Sequence, residues 1–423
     1  MNNNMTSNRK RLTDYILYAA LAILLFGSGY KFAEWQIKSN ARANSNVTVF
    51  NSNNPEIKDK KGNAIDFTLF WDTWEKIENK YIDKSKIDPE KMYYGAIKGM
   101  AASVEDQYTF FLTPDENKQS KDDLGGKFQG IGAQLGLKDG RIVVVAPLKN
   151  SPAEKSGIKS GDIILKVDGA STKNWSLTQA VSKIRGPENT KVKLSLLRDE
   201  NELEIEITRK QIMVSSVETE FKSKNGNNYA HVRVNQFGDN TNKEWDKTIS
   251  DIEKRFKNGS VSGIILDLRG NPGGYLESAV YLASEFIQND KLIVKQETSN
   301  EQDTLYKVRR NGKLLDIPLV VLINEGSASA SEILSGALRD YKRATLIGQK
   351  SFGKGSVQEA LELQGGAGLH VTVAKWILPN GDWINGVGIT PEIIIENKTD
   401  ENNSLTDETD AQLQKALEVI STK

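Results

Sequence analysis

The sequence predicts a multidomain α/β chain: an N-terminal membrane anchor on a flexible stalk, a helical N-terminal region, a compact β-rich module, and an α/β core of βαβ type. Three observations predict it. The chain has 423 residues, too many for one ordinary core. The run YILYAALAILLFGSGY, from Tyr15 to Tyr30, is the one long apolar stretch near a basic flank. Beyond about Met213, apolar strand-like runs alternate with helical stretches, the pattern of βαβ units.

The N-terminus comes first. Arg9, Lys10 and Arg11 precede the apolar run, which with Phe32 and Ala33 approaches the roughly 17–25 residues a span requires. The basic flank keeps residues 1–14 cytoplasmic and sends the rest outward across a span at 15–33. A cleaved signal peptide is the alternative, but Ala41-Arg42-Ala43 is a poor and late cleavage site. The rest of the chain is therefore expected outside the cytoplasm, held at the membrane, or secreted if the segment is removed. Residues 34–64, rich in Asn, Ser and Lys, read as a stalk.

Residues 65–124 form the helical region. In FTLFWDTWEKIENKYI, Phe67, Phe70, Trp71, Trp74, Ile77 and Tyr81 recur at helical spacing, and MYYGAIKGMAASV is a second helix with Pro89 near its start. The aromatic stripe is expected to pack, within the chain or against a second copy in a homodimer. Residues 125–212 form the β-rich module. RIVVVAPL is a strand, SPAEKSGIKSGDIILKVDG a short helix, a glycine turn and a strand, and SLTQAVSKIRG a helix with Leu177, Ala180, Val181 and Ile184 on one face. KVKLSLLR and ELEIEITR alternate as half-buried strands, with Leu203, Ile205 and Ile207 inward.

Residues 213–398 form the α/β core. VSGIILDLRG and IPLVVLIN are buried strands; KLIVKQET and TLYKVRR form a hairpin; SASEILSGALRDY is a helix and ATLIGQ a strand. Residues 399–423 begin acidic and polar and end in the amphipathic helix AQLQKALEVI.

Composition narrows the chemistry. Lys+Arg and Asp+Glu both total 56, so no overall basic field recommends nucleic acid as a partner. There is no cysteine, which excludes disulfides, thiolate catalysis and Cys-ligated zinc. Only His231 and His370 exist, which is few for a metal site or a Ser-His triad. No metal or cofactor is implied.

In LVVLINEGSASASEIL an apolar strand runs into a turn holding Ser327, Ser329 and Ser331, then into a helix. A serine there is exposed at the carboxyl end of the sheet, and the unpaired amide of Ala330 at the helix start can face an oxyanion. Helix capping is the plain alternative for such a serine. A serine hydroxyl needs a base. Both histidines sit in strand-like segments with no evident acidic partner. Lys354, in Ser351-Phe352-Gly353-Lys354-Gly355, is the better candidate, provided desolvation lowers its pKa.

Read together, these segments resemble the carboxyl-terminal processing peptidases, Ser-Lys serine peptidases with an embedded PDZ domain. That family carries serine in an SASASE-like run, lysine in an FGKG-like run, and glutamine one helical turn later. Here these are Ser329, Lys354 and Gln358, with 25 residues from serine to lysine. The resemblance implies a Ser-Lys dyad, with Gln358 orienting the lysine amine, in an α/β peptidase core. It makes the β-rich module a PDZ domain and FQGIGAQLG its carboxylate loop, carried over as Gly130, Ile131, Gly132 and Ala133. Glycines there free backbone amides to meet a chain-end carboxylate. LDLRGNPGG resembles the turn beside the nucleophile, so Gly273 or Gly274 is the second oxyanion donor with Ala330. Arg185 is a further candidate, matching a PDZ arginine that in some relatives couples ligand occupancy to the active site. The chain departs from the pattern at His370 and at Asp382-Trp383, which bears on substrate preference.

The implied activity is a membrane-anchored serine endopeptidase that recognises C-terminal ends of protein substrates and cleaves through an acyl-enzyme. A regulatory protein that licenses the site is a further expected partner. The rivals are a non-catalytic peptide-binding scaffold and a Ser-His peptidase using His231.

Overall fold

A computed structural model describes residues 57–423 apart from 139, 149, 176, 300–301 and 398–405. The expected span at 15–33, its cytoplasmic tail and most of the stalk lie outside the described residues. Among those described, no helix is long and apolar enough to cross a membrane.

The helical region holds α1 (Thr68–Lys80) and α2 (Pro89–Ala102). Proline at the first helical position and Asp88, whose carboxylate accepts the amides of Glu90 and Lys91, start α2. The aromatic stripe of α1 is not covered by the described residues. Phe70 and Trp71 meet edge to face at 5.0 Å, yet no residue of α1 is buried, and Phe67, Trp71 and Leu69 are 50%, 49% and 75% exposed. Strand β1 (Phe110–Leu112) then leads into α3 (Pro114–Leu124). Lys98 of α2 pairs with the buried Glu116 of α3 at 2.8 Å and ties these two helices together.

The β-rich module follows as β2 (Lys127–Gly130), β3 (Ala133–Lys138), β4 (Arg141–Pro147), α4 (Pro152–Lys155), β5 (Ile163–Val167), β6 (Ala170–Ser171), α5 (Leu177–Ile184), β7 (Lys191–Arg198), β8 (Asn201–Thr208) and β9 (Lys210–Met213). Its sheet runs β3-β4-β5-β7-β8, with β6 on β5. β2 and β9 form an antiparallel ribbon where the chain enters and leaves. Ala180 and Ile184 of α5 close a separate core with Val144, Ile164, Leu194 and Ile207.

The larger core comprises β10 (Val217–Lys224), β11 (Asn227–Val234), α6 (Thr241–Lys257), β12 (Gly263–Asp267), α7 (Leu276–Ala283), β13 (Leu292–Thr298), β14 (Thr304–Lys307), β15 (Leu319–Ile323), α8 (Ala330–Asp340), β16 (Thr345–Gly348), β17 (Ser356–Glu362), β18 (Gly368–Ile377), β19 (Ile393–Ile394) and α9 (Ala411–Ile420). The main sheet is ordered β10-β11-β12-β15-β16-β19 and is parallel from β11 onward. Every residue of β12 and β15 is buried, as expected of a parallel sheet covered on both faces. Trp245, Leu282 and Leu334 of α6, α7 and α8 pack on one face, and Leu413, Leu417 and Ile420 of α9 on the other. A second sheet, β1-β18-β13-β14 with β17 on β18, stands beside it. Because β1 pairs with β18, the helical region contributes an edge strand to this second sheet.

Candidate active site

Ser329 closes the turn between β15 and α8 at the carboxyl end of the main sheet, where open α/β sheets bind ligands. Its φ is 54° and its ψ −114°, a strained conformation for a residue with a side chain. The neighbours hold it there. Ser327 Oγ donates to Leu268 O at 2.8 Å, Ser331 Oγ donates to Asn271 O at 3.0 Å, and both serines are fully buried. Ser329 is half-buried and donates no such bond among the described residues, so of the three hydroxyls its proton is the one without a backbone acceptor. The Ala330 amide has no partner among the described residues.

The LRGNPGG turn after β12 lies against Ser329. A Cβ on Gly273 would come 2.8 Å from Ser329 Cβ and 3.0 Å from the Ala330 nitrogen, so only glycine fits. The Gly273 amide donates to Asn271 Oδ1 at 2.8 Å and is committed, whereas the exposed Gly274 amide has no partner among the described residues.

Lys354 lies in the loop between β16 and β17. Gly353, at φ +91°, approaches the Gly388 nitrogen so closely that a Cβ would sit 2.8 Å from it. On its other side, Gly355 donates to Asn385 Oδ1 at 3.1 Å and accepts from Trp383 Nε1 at 2.8 Å. The lysine stem is thus held between two fixed glycines. Its ammonium lies 4.8 Å from the centroid of the Tyr108 ring. Burial pulls the Lys354 ammonium down to about 8, against the charges of Asp106 and Glu332. No hydrogen bond joins Ser329 to Lys354 in this arrangement.

Glu332 links the two loops. Oε1 accepts from Ser351 Oγ at 2.6 Å and from the Gly353 amide at 2.7 Å. Oε2 accepts from the amides of Ser329 at 2.8 Å and Lys354 at 3.0 Å. Burial pushes this carboxyl up, and its four donors oppose the shift. Sequence reading missed Glu332, although its position three residues after Ser329 is capping-box spacing. Asp106, Tyr108 and Trp383 were also missed as neighbours of the lysine, since none has a local motif.

Gln358 is placed differently from the expectation. It lies on strand β17, not one helical turn beyond the lysine, because Ser356–Glu362 pairs antiparallel with β18. Its Nε2 donates to Ser356 Oγ at 2.9 Å and Thr372 Oγ1 at 3.0 Å, and not to Lys354.

His231 does have an acidic partner, which the sequence did not reveal. Its Nε2 lies 3.0 Å from Asp267 Oδ2. Alternation on β11 sends Ala230, Val232 and Val234 to the core beneath α8 and leaves His231 on the opposite face. Asp267 is buried and further held by Arg269, which reaches Asp410 at the start of α9. This pair therefore lies across the sheet from the helix that Ser329 starts. His370 stacks on Phe110 at 4.7 Å, and burial with the nearby Lys354 charge lowers its pKa.

In the β-rich module, Gly130, Ile131, Gly132 and Ala133 form the turn from β2 to β3. Gly132 has φ +74° and a Cβ there would meet Ser151 Cβ at 2.5 Å. The Ile131 and Gly132 carbonyls accept from Ala153 and Leu148, while their amides have no partner among the described residues. Arg185, at the end of α5, covers the Phe128 ring at 4.6 Å and lies 3.4 Å from Asp123 of α3. It touches this loop rather than Ser329 or Lys354. A cleft of about 800 Å³, lined by Asp106, Tyr108, Thr298, Ser356, Thr372 and Trp383, opens beside the lysine loop. Among the described residues, no cluster of three His, Asp or Glu side chains is disposed to hold a metal ion.

Comparison with known proteins agrees with this layout. Residues 228–395 match the model of peptidase family S41, and residues 115–197 that of the PDZ domain. The carboxy-terminal processing protease CtpA of Bacillus subtilis is 38% identical over 356 residues, covering 83% of this chain and 74% of that protein. CtpB of the same organism is 35% identical over 326 residues, covering 76% and 66%. Among solved structures, the photosystem II D1 C-terminal processing protease aligns with a TM-score of 0.52 at 28% identity, covering 82% of this chain and 96% of that one. The chain therefore belongs to the carboxy-terminal processing proteases of peptidase family S41, serine-type enzymes that here carry a PDZ domain.

Proposed function

We propose that the chain is a membrane-anchored serine endopeptidase that captures free C-terminal ends of protein substrates in its PDZ domain and cleaves them with Ser329 and Lys354. One observation carries the catalytic part: a strained serine at the start of α8 and a buried lysine of lowered pKa are tied through their backbones to a single carboxylate, that of Glu332. Neutral Lys354 takes the Ser329 proton as Oγ bonds the scissile carbonyl carbon. The Ala330 amide, with that of Gly274, stabilises the oxyanion, since the Gly273 amide already donates to Asn271. Collapse breaks the C–N bond, with the proton passing to the departing amine. Water, deprotonated by Lys354, then releases the acyl group.

The two side chains are not hydrogen-bonded to each other, and Gln358 faces Thr372, so the catalytic arrangement requires the lysine to close on the serine. Arg185, between the carboxylate loop and α3, is the residue through which a bound peptide or a regulatory protein would favour that closure. The basic flank before the apolar run at 15–33 supports assigning the enzyme to the outer side of the membrane. The uncovered aromatic face of α1 is assigned to a second copy of the chain.

The test is cleavage of an unfolded protein substrate by the full chain and by Ser329→Ala and Lys354→Ala. Both variants should be inactive; full activity in either would falsify the dyad. A peptide series varied at its last residue and capped by a C-terminal amide tests the PDZ reading, with weaker binding of the amide expected.

A further inference from the structure

We propose that Asp106 is a positioning residue for Lys354: with the Tyr108 ring it forms an electrostatic seat, contributed by the N-terminal helical region, that steadies the ammonium formed when the lysine takes the Ser329 proton. The inference rests on the Ser-Lys reading above and adds to it the residues on which the base depends.

The geometry is specific. The segment between α2 and β1 brings the Tyr108 ring to the Lys354 ammonium. Asp106 Oδ2 accepts from Thr109 Oγ1 at 2.7 Å and Oδ1 from the Tyr108 amide at 3.1 Å, so the carboxylate is fixed by its own turn. Thr109 Oγ1 in turn accepts the Thr372 amide at 3.1 Å, which locks the turn to β18. Thr372 also hydrogen-bonds Asp106 through its side chain and accepts Gln358 Nε2 at 3.0 Å. Gln358 is therefore joined to Asp106 through Thr372, and Asp106 acts on Lys354 by its charge, not by a hydrogen bond. The buried Tyr108 ring lies 4.8 Å from the Lys354 nitrogen.

The charged and titratable groups around Lys354 are Asp106 and Tyr108 from this turn, Glu332 from α8 and His370 from β18. Glu332 spends its lone pairs on Ser351 and three backbone amides, and the Lys354 charge holds His370 toward its neutral form. Asp106 is ionised: burial opposes this, but Thr372, Thr109, the Tyr108 amide and the Lys354 charge outweigh it. A fixed carboxylate and an aromatic face both favour a cation over a neutral amine. They therefore stabilise the proton transfer itself, at the cost of a smaller neutral fraction of lysine in the resting enzyme.

The experiment is the pH profile of kcat/KM for the full chain carrying Asp106→Asn, an isosteric change. Loss of the counter-charge should move the acid limb to lower pH by roughly half a unit to one unit, while the high-pH plateau falls about tenfold. Tyr108→Leu should move the limb the same way, and Tyr108→Phe, which keeps the ring, should leave the limb in place. A limb that stays put in Asp106→Asn and Tyr108→Leu, with activity lowered equally at every pH, overturns the proposal and makes the turn merely structural. If Asp106→Asn does not fold, the two Tyr108 variants decide alone. Activity in Ser329→Ala or Lys354→Ala sinks the dyad; their inactivity with an unmoved limb in Asp106→Asn sinks only the seat.

Discussion

Glu332 accepts the backbone amide of Lys354 at 3.0 Å on the same carboxylate oxygen that accepts the amide of Ser329 at 2.8 Å. One buried side chain thus sets the separation of the two loops that carry the proposed nucleophile and base. Glu332→Gln exchanges one acceptor oxygen for a donor that faces N–H groups. It should lower kcat by about 10- to 100-fold with little change in KM, and lower stability by roughly 1–3 kcal/mol. Steady-state kinetics and urea unfolding check both; an unchanged kcat would show that the loops hold their spacing without it.

The lowered pKa of Lys354 fixes the sign of the pH dependence. Below about 8 the ammonium form dominates and cannot accept a proton. Activity should therefore rise with pH, about tenfold per unit well below that value, and level off above it. Lys354→Arg should be inactive from about pH 6 to about pH 10, because guanidinium stays protonated. A rate profile flat across this range in the parent enzyme would remove lysine as the base.

Trp383 holds the lysine loop through Nε1 to Gly355 O at 2.8 Å, and its ring packs under the Lys375 ammonium at 4.5 Å. Trp383→Phe keeps an aromatic face and removes the hydrogen bond. A bond of about 1 kcal/mol that bears on loop placement corresponds to roughly a fivefold loss in kcat. The measurement is kcat on a short and a long substrate. Equal losses on both mean loop placement; a loss only on the long one means that Trp383 contacts substrate.

Phe70, Trp71 and Leu69 leave a large apolar face on α1 over which no described residue packs. Sedimentation of the fragment beginning at residue 57 should give a dimer, and Phe70→Glu with Trp71→Glu should give a folded monomer. Folding should survive because no residue of α1 is buried in the chain's own core. A parent fragment that is monomeric at high concentration would assign the face to another occupant.

Much of this was legible in the linear sequence. Strands β12 and β15 announced themselves as apolar runs ending in turn residues, and α9 as an amphipathic stripe. Ser329 and Lys354 stood out by their spacing and by the scarcity of histidine. These signals are local: side-chain periodicity, turn chemistry and composition act over a few neighbouring residues. Gln358 was placed on the wrong element because a motif records spacing but not backbone conformation, and pairing with β18 made that segment a strand.

Residue types, their order and the serine-to-lysine interval were determined by the sequence itself, and with them the α/β layout and the reaction class. Which serine of three is uncommitted, how far the Lys354 pKa falls, and that Glu332 joins the two loops were decided only by tertiary structure. Burial and through-space charge depend on segments far apart in the chain, such as Asp106 beside Lys354, or His231 against Asp267. A carboxylate's effect on an ammonium follows their separation in space and the water excluded between them, and neither quantity exists until the chain has folded.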